Sequence, residues 1–368
     1  MNIWRTTRLP HETPESMTWT LHPISQFPQF AGQWDRLAQA RPGTPFLETA
    51  FLQPALETFG NGQEMLCLCH TNGQLSAAAI VQRGPKGMWQ TFQQSQQPLG
   101  AWVANGGIDL TTTVSALVAK LPGLTLGLGV TQLDPRFHPR PLDSTTLRTQ
   151  DYIETAWVDL EGTFDAYWEA RGKNLRQNTR KQRNKLQTEG TVTRLECITT
   201  AADVPQAIAD YGALESAGWK TADGTAIHPD NAQGKFYQKM LENFCNQGRG
   251  RIYRYWFGDE VVAMDLCVCD STTIVILKTT YDESYKQVSP STLMRQDEFQ
   301  QLFDEAKFQR IEFYGKVMEW HTRWTLNART VYHANVYRHS LVLRLLNLRA
   351  AMRKKAPQPT PEAEVTHA

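Results

Sequence analysis

The chain has 368 residues, of which 41% are hydrophobic and 20% are charged, and its formal net charge is +1. This balance excludes a global electrostatic pull toward nucleic acid or a membrane, so any charged partner must be recognised by a local patch. The length exceeds that of one ordinary hydrophobic core and predicts two domains of roughly 150 to 180 residues.

The sequence shows no signal for export or for a membrane anchor. Residues 1–20 form an extension with proline, threonine and charged residues, and they lack the apolar run of a signal peptide. No later segment supplies the ~18 uninterrupted apolar residues of a membrane span. We therefore expect a cytoplasmic protein.

The first half, residues 21–150, is predicted to be mixed α/β. Apolar periodicity predicts helices at 27–40, 49–59 and 112–120, and strands at 65–69, 75–81, 88–92 and 125–130. Asn72-Gly73, between the first two strands, is a strong two-residue hairpin turn. The segment 132–148 has three prolines and little periodicity, and we expect it to cross over into the second half.

Four of the six cysteines form two Cys-x-Cys pairs, Cys67 with Cys69 and Cys267 with Cys269, each inside an alternating strand pattern. No further pair at zinc-ligand spacing accompanies either of them. We interpret them as buried free thiols, and we expect no metal site.

A basic helix is predicted at 174–188, ended by Gly190. Arg176, Arg180 and Arg183 recur at i, i+4 and i+7 and therefore share one face. Two interpretations stay open: a solvated helix face, or a wall that attracts the phosphates of a nucleotide cofactor or of RNA. Because no aromatic residues interleave the charges, an RNA partner would be held through its backbone.

The second half, residues 151–350, is again mixed α/β. Its predicted helices are 204–216, 236–246, 290–308 and 341–352, and its predicted strands are 152–160, 251–256, 261–269, 273–280, 310–315 and 330–337. Residues 318–325 are predicted as a strand or as strand and loop, and 351–368 as a disordered tail. The hairpin at Tyr253–Met264, with its Gly258-Asp259 turn, echoes the hairpin at Leu66–Ala79, which suggests two copies of one module.

The start of the helix at 290 predicts an anion site. Ser289 is a natural N-cap and Pro290 a natural first helical residue, since proline lacks the N–H that would have no partner there. The N–H groups of the next three residues, Ser291, Thr292 and Leu293, would then face whatever lies in front of the helix.

Several short motifs occur in a recognisable order. They are Gly218-Trp219-Lys220, Gly224-Thr225-Ala226-Ile227, Lys278 with Tyr281-Asp282-Glu283 and Tyr285, Ser289-Pro290, and Arg323-Trp324. Over most of Phe27–Arg338 the chain thereby resembles the CelD/BcsL family of the GNAT acyltransferase superfamily. It departs from the family pattern at Ser291, where glycine is usual, and at Phe313–Lys316, where an acidic strand motif is matched only by Glu312.

The resemblance implies an α/β (α+β) fold of tandem GNAT-like modules, each a mixed central sheet flanked by helices, as in the related FemAB-type transferases. It also implies transfer of an acyl group from a thioester, usually acetyl-CoA, to an amine. The splayed strands of the superfamily would place oxyanion donors at Thr279. The second module would hold the donor, with Arg176 and Arg180 near its phosphates.

Strand alternation separates the candidates for proton transfer. Asp265 and Glu312 are candidate bases, Tyr285 or Tyr281 a candidate acid, and Lys278 a further catalytic candidate, provided that the carboxylates meet in one cleft. The alternative for Asp265 is a cross-strand ion pair with Lys278. The candidate substrate-binding residues are Trp219, Lys220, Tyr281, Tyr314 and Trp324, of which the tryptophans and Tyr281 could equally be packing residues.

The leading hypothesis is an N-acyltransferase that uses acetyl-CoA or another acyl-CoA and acts on an amine of a small molecule, sugar or peptide. A second hypothesis is a FemAB-type transferase that takes its group from aminoacyl-tRNA, with the Arg176 face holding tRNA. A third is a non-catalytic accessory protein of polysaccharide or peptide synthesis.

Overall fold

The computed structural model describes residues 16–217 and 227–355. Its strands are β1 (Met17–Pro23), β2 (Met65–Thr71), β3 (Gln74–Arg83), β4 (Met88–Thr91), β5 (Trp102–Ala104), β6 (Gly127–Leu133), β7 (Leu147–Asp159), β8 (Thr193–Ile198), β9 (Gly250–Phe257), β10 (Glu260–Cys269), β11 (Thr273–Tyr281), β12 (Arg310–Glu312) and β13 (Ala328–Tyr337). Its helices are α1 (Phe27–Gln39), α2 (Thr49–Phe59), α3 (Leu110–Lys120), α4 (Phe164–Glu169), α5 (Lys173–Thr188), α6 (Val204–Ala217), α7 (Ala232–Asn246), α8 (Pro290–Glu305), α9 (Glu319–Thr322) and α10 (Ser340–Lys355).

One mixed sheet runs through both halves of the molecule. Its strand order is β1-β2-β3-β4-β6-β13-β7-β12-β11-β10-β9-β8, and β5 pairs with β3. Helices α1, α2, α6 and α7 cover one face and share a single hydrophobic core. On the opposite face α3 covers the first half, and α4 and α8 cover the second. The predicted mixed α/β fold is confirmed.

The two halves repeat one order of elements. A first strand, two helices, three antiparallel strands, one helix and a parallel strand occur as β1-α1-α2-β2-β3-β4-α3-β6 and again as β8-α6-α7-β9-β10-β11-α8-β12. In both, the last strand is parallel to the third of the antiparallel strands, β4 in the first half and β11 in the second. The repeat indicated by the two hairpins is therefore present throughout each half.

The halves then exchange strands. β7 follows β6 in the chain but pairs with β12, and β13 follows β12 but pairs with β6. β7 and β13 also pair with each other over nine positions, which joins the two halves into one sheet. The division of the chain near residue 150 stays a prediction, but the sheet is continuous across it.

The sequence prediction missed three strands and misassigned one segment. β1 and β8 lie at the two edges of the sheet, where strands are short and polar and so lack a clear apolar alternation. β5 has only three residues. The strand predicted at 318–325 is wrong, because this segment forms α9, whose start is tied by a hydrogen bond from the Met318 N–H to His321 Nδ1 over 2.9 Å.

Candidate functional site

A cleft opens where β11 and β12 separate. The two strands pair only from Thr273 to Val275, opposite Arg310 to Glu312. Beyond that point Phe313 turns to β7 and donates its N–H to the Ala156 carbonyl over 3.2 Å. β11 bulges at Leu277, because Leu266 pairs with Lys278 whereas Cys267 pairs with Ile276. The strands therefore diverge at the edge where α8 begins.

The cleft has a volume of about 250 Å³ and lies between the end of β11, the first turns of α8, and α9. Six of its lining residues were predicted from the sequence as donor-binding or substrate-binding: Thr279, Tyr281, Ser289, Ser291, Thr292 and Trp324. Four were missed: Lys286, Arg295, Trp320 and Arg323. Arg295 follows Ser291 by one helical turn, so helical spacing alone could have indicated it.

The start of α8 offers fewer free donors than predicted. Ser289 occupies the left-handed region, with φ 47° and ψ 62°. Its carbonyl accepts from the N–H groups of Thr292 (2.9 Å) and Leu293 (3.2 Å), so the predicted cradle of three free N–H groups is wrong. Among the described residues nothing accepts from the Ser291 N–H. The Leu293 side chain is buried in the core rather than in the cleft.

The mouth of the cleft is positively charged. Lys286 and Arg323 line it, and among the residues described Arg323 forms an ion pair only with the largely exposed Glu319. The Ser289 hydroxyl accepts a hydrogen bond from Gln182 of α5 over 3.0 Å, which fixes α5 beside the helix start. Together with the helix dipole, these groups favour an anion at the mouth.

A buried guanidinium lies deeper in the cleft. The Arg295 side chain is 3% exposed, and its Nη2 donates to Asp265 Oδ2 (2.6 Å) and to Thr279 Oγ1 (3.3 Å). Its centre lies 4.9 Å from the Trp320 ring centroid. Nη1 is buried and has no hydrogen-bond partner in the described part of the chain. Nη1 can therefore donate to an oxygen that enters the cleft.

A second carboxyl lies behind this pair. Glu298 of α8 is fully buried, and neither of its oxygens has a hydrogen-bond partner among the residues described. Burial and the neighbouring Asp265 charge raise the pKa of Glu298 well above its usual range. Burial therefore favours the protonated, uncharged form of Glu298 beside the Arg295–Asp265 ion pair.

The sheet separates the candidate bases. Asp265 faces α8, whereas Glu312 lies opposite Val275, which belongs to the core on the face of α1, α2, α6 and α7. The two carboxylates therefore do not meet in one cleft. The alternative pairing of Asp265 with Lys278 is also wrong, because the bulge turns Lys278 to the other face, where its Nζ lies 3.5 Å from Glu215.

Glu312 accepts hydrogen bonds from two arginines, and a third, Arg310, lies 3.7 Å away. Its carboxylate lies 3.1 Å from Arg136 Nη1 and 3.0 Å from Arg329 Nη2, and its side chain is fully buried. Burial outweighs the two positive charges and raises the pKa of Glu312 to about 7. The Tyr314 hydroxyl donates to Asp134 over 2.9 Å, in the same buried network and away from the cleft.

Other predicted site residues lie elsewhere. Tyr285 donates to Glu260 over 2.6 Å, and this bond raises the pKa of its phenol, but the ring lines a different groove beside α5. Arg180 is exposed, and Arg176 Nε donates to the Arg171 carbonyl over 3.2 Å. Neither arginine lines the cleft. Trp219 and Lys220 lie outside the described residues.

The helix that corresponds to α8 in the first half, α3, begins differently. Helix α3 is capped by its own carboxylate, since Asp109 Oδ1 accepts from the Thr112 N–H over 2.7 Å. A capping carboxylate both occupies the helix N-terminus and repels an anion. The start of α8, which has no such capping carboxylate, therefore favours an anion more than the start of α3 does.

Neither a metal cluster nor a membrane span occurs in the parts of the chain that the structure describes. Across 16–217 and 227–355, no group of three histidine, cysteine or acidic side chains could hold a metal ion. None of the helices in these ranges has the length and apolar character needed to cross a bilayer. The paired cysteines Cys67, Cys69, Cys267 and Cys269 are buried free thiols, as predicted.

Comparison with known proteins agrees with this geometry. Residues 173–322 match the family model described as an acetyltransferase (GNAT) domain. No curated protein matches the chain. The structure of FemX is similar to this chain with a TM-score of 0.56 at 8% sequence identity, over 86% of this chain and 98% of FemX.

Two further structures are similar. The C-terminal DUF2156 domain of an Agrobacterium fabrum protein gives a TM-score of 0.54 at 13% identity, over 88% of this chain and 96% of that chain. A Bacteroides thetaiotaomicron protein of unknown function gives 0.51 at 9% identity, over 88% of this chain and all of that chain. At these identities the likeness extends to the fold alone.

Proposed function

We propose that the protein is an N-acyltransferase that moves an acyl group from a CoA-type thioester to an amine of a small molecule, sugar or peptide. The observation that carries the proposal is the cleft of about 250 Å³ between the diverging strands β11 and β12, with the start of α8 at its mouth. The match of residues 173–322 to a GNAT domain supports the same activity. The narrower likeness to the CelD/BcsL family, and a cytoplasmic location, stay predictions.

The residues present fit a donor of this class. Lys286, Arg323 and the Ser291 N–H would hold its phosphates at the mouth. Arg295 Nη1 would donate to an oxygen of the donor's arm, and the rings of Trp320 and Trp324 would exclude water from it. When bound, an acyl-CoA supplies the activated acyl group.

The remaining chemistry is proton transfer and orientation by the chain. Glu312 is the candidate base for the attacking ammonium: it is the last residue of β12 paired with β11, and its pKa of about 7 suits proton removal. Because Glu312 lies on the face of the sheet opposite the donor cleft, the acceptor amine would approach between the diverging strands from that face. Tyr281 lines the cleft and is the acid candidate for the leaving thiolate, in place of Tyr285, which lies in the other groove. Asp265 acts as a positioning residue because it fixes the Arg295 guanidinium.

A panel of CoA, acetyl-CoA and longer acyl-CoAs tests the proposal by thermal shift and by release of free thiol in the presence of amines. We expect stabilisation by CoA compounds in the wild type, and weaker stabilisation in Lys286→Gln and Arg323→Gln. Lys239→Gln, an exposed lysine on α7 at the other face of the sheet, is the matched control. Absence of any shift and of any thiol release would overturn the proposal.

One alternative has its own support. The fold likeness to FemX and the exposed Arg180 and Lys181 on α5 agree with a FemAB-type transferase that takes its group from aminoacyl-tRNA. Filter binding of tRNA at several salt concentrations distinguishes the two. Binding that falls steeply with salt and weakens in Arg180→Gln with Lys181→Gln would favour this alternative. If neither CoA compounds nor tRNA bind, the non-catalytic accessory role is favoured.

A further inference from the structure

Helix α10 has an exposed leucine face. Leu341, Leu345 and Leu348 are 64%, 66% and 61% exposed, and their spacing of i, i+4 and i+7 places them on one side of the helix. Leu343 is 7% exposed on another side, and α10 lies against β13. The helix is thus apolar both where it meets the body of the protein and where it faces solvent.

The leucine face continues onto the neighbouring loop. Leu124 is 81% exposed and lies two residues before Leu126, whose carbonyl accepts from the Arg338 N–H over 2.9 Å, just before α10 begins. The Leu126 N–H donates to the Gly87 carbonyl over 2.8 Å, so the turn that carries Lys86 lies at the same end of the sheet. Exposed apolar residues grouped in this way are uncommon on an isolated soluble surface.

The surroundings of this face are basic. The side chains of Arg83, Lys86, Lys120, Arg338 and Arg344 are exposed, and none of them is in an ion pair with another described residue. From Arg338 to Pro361 the sequence has six lysines and arginines and no aspartate or glutamate. The nearly neutral chain therefore carries a local positive patch around exposed leucines.

We propose that this face, defined by Leu124, Leu341, Leu345 and Leu348 with Arg338 and Arg344, docks on the surface of an anionic lipid bilayer. Leucines entering the headgroup boundary, with arginines reaching lipid phosphates beside them, are the pattern of a helix that lies in the plane of a membrane. At 16 residues α10 spans about 24 Å, and with Arg344 within it, it lies on a bilayer rather than across one.

Other occupants match the chemistry less well. A second copy of the chain would bring like charges together with no acidic residue on α10 to offset them. Nucleic acid would leave the leucines exposed. Residues 356–368 contain three prolines, two glutamates and only one large aliphatic residue, Val365, which cannot cover three leucines.

Flotation of the full-length protein with lipid vesicles tests the proposal. We expect binding to phosphatidylcholine vesicles that contain phosphatidylglycerol, weak binding to pure phosphatidylcholine, and release as salt rises. The triple variant Leu341→Gln, Leu345→Gln and Leu348→Gln should bind at least about tenfold more weakly. Leu326→Gln is the matched control: Leu326 is 89% exposed, beyond the opposite end of β13 and about 30 Å away along that strand.

A second variant distinguishes a loss of membrane binding from a failure of α10 to fold. Arg338→Gln with Arg344→Gln removes no apolar contact and should also reduce binding to anionic vesicles about tenfold or more. The proposal is overturned if both variants bind vesicles as the wild type does. It is also overturned if the wild type fails to float with vesicles of either composition. Concentration-dependent dimerisation that the leucine variant abolishes, without vesicle binding, would assign the face to a second copy instead.

Discussion

Arg295 donates a hydrogen bond to Asp265 over 2.6 Å between α8 and β10, with both side chains buried. This contact joins the helix whose start forms the mouth of the cleft to the strand next to β11. The guanidinium is left with Nη1 facing no described partner, and it is held rigidly by a carboxylate on the far side. A cation fixed in this way loses little side-chain entropy when a ligand binds.

The buried pair should show strong coupling in a double-mutant cycle. Asp265→Asn and Arg295→Met each leave one buried charge uncompensated, and each should lower the free energy of unfolding by about 3 kcal/mol or more. The double variant should lose less than the sum, because neither charge remains. Urea denaturation measures all four proteins. Additive effects would mean that the two side chains do not act as a pair.

A negative charge at Ser291 should separate stability from donor binding. Ser291→Asp places a carboxylate in the first turn of α8, which stabilises the helix by about 0.3 to 1 kcal/mol. The same charge repels donor phosphates, so acyl-CoA affinity should fall about tenfold or more. Calorimetry measures the acyl-CoA affinity, and thermal melts measure the change in stability. Ser115→Asp on α3, an exposed site away from the cleft, is the control and should leave affinity unchanged.

The pH profile of kcat/KM should reveal Glu312. Its pKa is about 7, and only the ionised form accepts a proton, so activity should rise as pH increases through 7. Glu312→Gln should lower kcat/KM at least about a hundredfold and remove this limb of the profile. A variant that retains the wild-type profile would assign the limb to another group.

The raised pKa of Glu312 also predicts how the free energy of unfolding depends on pH. Because burial raises the pKa of Glu312 above its unfolded value of about 4.5, the folded state holds the proton more tightly. Its contribution to stability is therefore present below pH 4.5 and is lost as pH rises through 7. Glu312→Gln should remove this loss, so that the free energy of unfolding falls less between pH 5 and pH 8 than in the wild type.

His321 should act in the opposite direction. Burial and the positive charge of Arg295 lower the pKa of His321 to about 4, from an unfolded value of about 6.5. Its contribution to stability is present above pH 6.5 and is lost as pH falls through 4, and it amounts to about 3 kcal/mol. His321→Gln should flatten the acid side of the stability curve by that amount. The exposed His228→Gln is the control, and an unchanged slope in His321→Gln would refute the prediction.

Local patterns in the sequence were sufficient for most helices and for the start of the site. α2 begins and ends where helical spacing predicts, and α8 begins after Ser289 because the Ser-Pro step is a local signal. The Asn72-Gly73 turn adopts the positive φ values, 52° and 81°, that such a pair favours. These features depend on residues within a few positions of one another, so the chain itself encodes them.

The tertiary structure alone decided which side chains meet. The bulge at Leu277 turned Lys278 away from Asp265 and toward Glu215, and the left-handed Ser289 used its own carbonyl to occupy two N–H groups that had been expected to be free. The exchange of β7 and β13 pairs strands almost 180 residues apart in the chain. Short-range periodicity contains no information on such pairings, because they depend on the packing of the whole sheet. The sequence by itself determined an α/β repeat and predicted an anion site at α8, whereas the arginine in the cleft and the separation of the two candidate bases follow from the assembled fold.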